Sequence, residues 1–127
     1  MAMARGSAVG TGPAGARVAA AEWAGYLETV SLVCCGMPTR VRALGAAAGE
    51  PCGARSAGMP LRELRLDEEQ DLLEVALGGS RGGGPALRCY LHAPDAIIAR
   101  AGSAFHSMVV VGDGGASTLI EILAAPS

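Results

Sequence analysis

Aromatic side chains are scarce in this 127-residue chain, with one Trp, one Phe and two Tyr making up 3% of positions. So few flat rings leave little on which single-stranded bases could stack. Lys and Asn are absent and all ten basic residues are Arg, while Ala and Gly abound, the mark a GC-rich genome leaves at tolerant positions. The formal net charge is −2, so the chain lacks the global attraction on which non-specific nucleic-acid binding depends. Nucleic acid is therefore the third of three functional readings.

Long apolar runs are also missing. No stretch approaches the roughly 18 residues that a membrane-spanning helix needs. The most apolar segment, Val18 to Cys35, is interrupted by Glu22 and Glu28, and burying either at bilayer depth costs several kcal/mol. It reads as a helix of a soluble domain. Arg5 and Arg17 precede it, but Gly and Pro break the intervening residues, which argues against a secretory signal. Cys34, Cys35, Cys52 and Cys89 are too few and too irregular for a disulfide framework, so reduced thiols in a cytoplasm are expected.

Residues 1 to 16 are mostly Gly, Ala, Ser and Thr and cannot bury enough apolar area to offset backbone entropy; a disordered tail is expected there. A single domain is expected over 17 to 124, with a short tail at 125 to 127. Within it Trp23, Tyr26, Leu27, Val30 and Cys34 recur at helical spacing, and Gly36 and Pro38 stop the helix. Val18, Ala19 and Ala20 offer no side chain to cap its start. Extended segments follow at Thr39 to Leu44, Leu61 to Leu66, Leu72 to Leu77, Ala86 to Leu91 and Ala96 to Arg100. Between Gly53 and Gly58 there is room for a further short extended piece.

The clearest local signal is the pair of β-branched runs around Gly112-Asp113-Gly114-Gly115, which predicts a C-terminal hairpin. A second hairpin is predicted around Asp67-Glu68-Glu69-Gln70, with Leu73, Val75 and Leu77 alternating against Glu74. The fold class expected is α+β: one N-terminal helix on a curved antiparallel sheet of about six or seven short strands, with closure into a small barrel as the variant.

The order of these features resembles a family of small uncharacterised bacterial proteins, a domain of unknown function. The strings that carry it are EWAGYLETVS, TRVRALG, MPLRELRLDEEQDLLEVALGG, LRCYLHAPDAIIAR and the hairpin ending GASTLIEIL. The resemblance implies a compact helix-plus-antiparallel-sheet domain in a bacterial cytoplasm, and brings no activity, cofactor or catalytic residue with it.

Candidate chemistry meets a bland alternative at each point. Cys89 with His92 suggests a thiolate and its base. Strand alternation puts the two on opposite faces, leaving Cys89 with Leu87 and Leu91 as a small core residue. His92 and His106 with Cys34, Cys35 or Cys52 lack the spacing of a zinc site, and His106 reads as part of the turn before the last hairpin. The Gly78 to Pro85 loop lacks the Lys-Ser/Thr and the following helix of a phosphate cradle, so it reads as a hairpin loop. No metal or cofactor is expected.

Arg88, Tyr90 and His92 share the polar face of one strand and form the candidate ligand-binding set, against the alternative of an ordinary solvated sheet face. The leading functional reading is a non-catalytic module for protein interaction or self-association, with either arm of the C-terminal hairpin as the edge. Its alternative is a small-ligand binder or enzyme using Arg88 as anion contact and His92 as proton carrier. No membrane partner is expected.

Overall fold

In the computed structural model, residues 16–44, 58–79, 84, 86–100, 104–112 and 115–124 are described. The chain enters as a short strand, β1 (Ala16–Val18), absent from the sequence reading, and passes through a 3-10 turn at Ala20–Glu22 into helix α1 (Trp23–Val33). No side chain caps the helix start. The Trp23 indole Nε1–H instead donates to the Val18 carbonyl at 2.9 Å, tying the helix entry to β1.

The spacing of apolar residues fixes which face of α1 turns inward. Leu27, Val30 and Cys34 are buried and Trp23 and Tyr26 are packed against them, as helical periodicity predicts. Leu32 and Val33, off that stripe, stand exposed. Gly36, at φ +85°, turns the chain out of the helix in the left-handed region that a side chain disfavours.

The strands are β2 (Pro38–Leu44), β3 (Met59–Asp67), β4 (Leu72–Leu77), β5 (Leu87–His92), β6 (Ala96–Arg100), β7 (His106–Val111) and β8 (Ser117–Ile122). With β1 they make an eight-stranded antiparallel sheet in the order β1-β6-β7-β8-β2-β3-β4-β5. Both predicted hairpins are present: β3 with β4 across the acidic turn, and β7 with β8. The described residues are thus mostly sheet with one short helix. Neither arm of the C-terminal hairpin is an edge, contrary to expectation, because β6 flanks β7 and β2 flanks β8. Val110 joins the core and Val109 is buried on the opposite face.

The sheet curls without closing. Strand β3 changes neighbours along its length: Met59 and Pro60 pair with β2, and Leu61 onward pairs with β4 past an irregularity between Leu61 and Glu63. Strands β5 and β6 stand far apart in the sheet order, yet only residues 93 to 95 join them, a span of about 14 Å at most from His92 to Ala96. The two ends of the sheet must therefore curve toward one another. Backbone bonds from Ala93 N–H to the Asp71 carbonyl and from Asp95 N–H to the Val111 carbonyl pin this crossing. Among the described strands β1 and β5 remain unpaired with each other, so the barrel variant is not formed. The core lies inside the curve, drawing Leu27 and Val30 from α1, Leu61 and Leu64 from β3, Leu73, Val75 and Leu77 from β4, and Ile97, Met108 and Ile120 from the strands opposite.

Candidate functional site

Register places the predicted residues. Ala76 lies opposite Arg88, Glu74 opposite Tyr90, and Leu72 opposite His92, so Arg88, Tyr90 and His92 do share the outer face of the β3–β4–β5 layer. Arg65 of β3 lies opposite Glu74 on the same face.

Glu74, at 5% exposure, is the centre of this face. Its two carboxylate oxygens each accept a charge-assisted bond, Oε1 from Arg65 Nη2 at 3.0 Å and Oε2 from Arg88 Nη1 at 2.6 Å. A carboxylate so far from water needs both partners. The hydrogen bond to Glu74 holds the Arg65 guanidinium above its ordinary pKa. Both arginine side chains remain about half exposed, so each keeps donors turned to solvent.

Sequence reasoning missed Arg65 and Glu74, although the signal was available. Once the acidic turn is taken as a hairpin, its register sets residue 65 against residue 74.

Beside this face, a cavity of about 600 Å³ runs between α1 and β3, with Ser31, Leu32 and Cys35 on the helix side and Arg62, Arg65 and Arg88 on the sheet side. Glu28 and Glu63 also line it, and Glu74 neutralises a third charge, so the local balance favours neither sign. Of the three predicted residues only Arg88 reaches this cavity; Tyr90 and His92 stand outside it on the exposed strand.

The cysteines correct one expectation. Cys89 is buried in the core as the alternation argued, but it is disulfide-bonded rather than a reduced thiol. Its inward position and the exposure of His92 leave the two on opposite faces, as expected. Cys34 and Cys35 are free, and burial pushes the Cys34 thiol up. Among the described residues no three His, Cys, Asp or Glu side chains converge as metal ligands. Cys52, the Gly53 to Gly58 piece before Gly58 and most of the Gly78 to Pro85 loop lie outside the described residues.

His106 was expected in a turn. It is instead the first residue of β7, and its Nε2 lies 2.6 Å from the Tyr26 hydroxyl of α1. Burial lowers the His106 pKa and raises that of Tyr26 to about 12, Cys34 adding to the latter. At neutral pH the phenol therefore keeps its proton and the imidazole is uncharged, and the tautomer of His106 decides which of the two donates. Eighty residues separate the pair, and no local pattern announces it.

This pair carries a pH signature. The unfolded chain takes up a proton on His106 near pH 6.5, before the folded chain does, so stability should fall as pH drops from there through the lower folded value. Denaturation midpoints of wild type and His106→Gln between pH 7 and 5 test it: the variant should show the shallower slope, and identical slopes would refute the assignment. At the alkaline end the unfolded chain ionises Tyr26 first, so stability should also decline above about pH 10.

No helix among the described residues is long and apolar enough to cross a membrane. Comparison with known proteins returns no matching family model, no matching curated protein and no matching solved structure.

Proposed function

We propose that this domain is a non-catalytic interaction module, and that it presents strand β5, with Arg88, Tyr90 and His92, to an extended segment of a protein partner. The observation that carries this reading is the phase of the β4–β5 ladder. Ala93 N–H bonds to the Asp71 carbonyl, which makes the odd-numbered residues of β5 the ones whose backbone groups turn toward β4. The N–H and C=O groups of Arg88 and Tyr90 and the N–H of His92 consequently point away from the β4 ladder, the His92 carbonyl lying against Gly112, and β5 is the terminal strand of that layer among the described residues.

A row of outward backbone donors and acceptors is a template for another strand. Tyr90, 46% exposed, adds a broad ring and a hydroxyl of the kind enriched at recognition surfaces. Arg88 contributes a guanidinium already oriented by Glu74, which lowers the entropy lost when it is engaged.

Site-resolved amide hydrogen exchange on dilute protein tests the reading. The amides of Arg88, Tyr90 and His92 should exchange fast, while those of Cys89 and Leu91, bonded into the ladder, should be slow. Uniformly slow exchange along β5 would mean that the edge is closed within the chain, and the proposal would fail.

A further inference from the structure

Strand β5 itself lacks three of the devices that keep sheet edges from pairing. It has no Pro, no Lys and no register shift against β4. Its one formally charged residue, Arg88, is drawn onto Glu74 of the neighbouring strand instead of guarding the edge. Resting on the interaction reading above, we infer that the partner is a second copy of this chain, joined β5 to β5 in antiparallel fashion about a two-fold axis passing between the two Cys89 positions.

Side-chain chemistry selects this register. With the axis at Cys89, Arg88 and Tyr90 of the second copy lie opposite each other and exchange backbone N–H to C=O bonds, and symmetry repeats the exchange. On the outer face each Arg88 then lies opposite a tyrosine, whose ring can cover the aliphatic stem of an arginine that keeps its guanidinium on Glu74. On the inner face Leu87 meets Leu91 of the second copy, extending the apolar layer. The next register, with Tyr90 on the axis, sets Arg88 against His92, two basic side chains, and gives no such match. The pairing is isologous, so it uses the β5 edge of both copies and ends at a dimer.

The test is size-exclusion chromatography with light scattering of the full chain over a range of concentrations, read beside amide exchange at the same concentrations. A dimer should form as concentration rises, and the amides of Arg88 and Tyr90 should become slow only where it forms. Tyr90→Pro removes an N–H that points outward and takes no part in the β4 ladder, a position where an edge strand tolerates proline. Dimerisation should weaken roughly thirtyfold or more, as expected from losing two symmetry-related hydrogen bonds. Tyr90→Phe keeps both ring and N–H and should still dimerise.

A chain that stays monomeric at every concentration with fast edge amides overturns the second-copy inference and leaves the open-edge reading standing. Edge amides that are slow in the dilute monomer overturn both. A dimer undiminished by Tyr90→Pro places the contact elsewhere and also overturns the inference. Should that variant not fold, the wild-type amides decide alone.

Discussion

Leu73→Ala is expected to cost about 3 kcal/mol of unfolding free energy, the middle of the range for emptying a fully buried leucine site. Leu73 is wholly buried on β4, opposite Leu66 of β3 and Leu91 of β5, on the face that looks into the core. Truncation loses the transfer energy of the side chain and leaves a void that the packed strands and helix around it cannot all close on. Leu72 is the useful comparison. It is also buried, but it lies on the opposite face with Glu74 and His92, where neighbouring side chains can move over a gap. Leu72→Ala should cost about half as much, and urea midpoints with unchanged slope would measure both. Equal costs would contradict the assignment of inner and outer faces.

Ser31→Ala is the second large effect, expected at about 2 kcal/mol although a single oxygen is removed. Ser31 Oγ accepts the Leu64 N–H at 2.8 Å and lies 2.7 Å from the Leu27 carbonyl and 3.1 Å from the Leu64 carbonyl. Its one proton serves one carbonyl at a time. Along this side of β3 the neighbour is α1 instead of another strand, so the serine stands in for the missing ladder bond. With alanine, the Leu64 N–H loses its side-chain partner at the wall of the cavity between α1 and β3 and must turn to water there. Ser31→Thr retains the oxygen and should recover most of the loss. The Leu64 amide should exchange faster in the alanine variant than in wild type, a readout that a purely packing effect would not produce.

Much of this architecture was legible locally. Trp23, Leu27, Val30 and Cys34 declare a helix face because an α-helix repeats every 3.6 residues, and the burial of that face follows. The alternation of Leu73, Val75 and Leu77 with Glu74 declares a strand with one inward side, and the acidic turn before it declares a hairpin. The common face of Arg88, Tyr90 and His92 came from the same rule, since side chains two apart on a strand point the same way. Even the Arg65–Glu74 pair was within reach, because a hairpin turn sets its own register.

What sequence alone determined is therefore what depends on neighbours along the chain: the helix and its buried stripe, the strands long enough to show a period, the two hairpins, and the face that their alternating side chains occupy. The order of strands in the sheet was decided only by tertiary structure. Periodicity reports which face is buried and is silent about which strand lies alongside, so the C-terminal hairpin read as an edge although β6 and β2 flank it. The same limit hid β1, three residues too short to show a period, and the Tyr26–His106 bond, whose partners meet only because α1 crosses toward β7. It also hid which strand ends the layer. That β5, with Arg88, Tyr90 and His92, ends the layer among the described residues follows from long-range backbone pairing, whose energy depends on segments that local pattern cannot bring together.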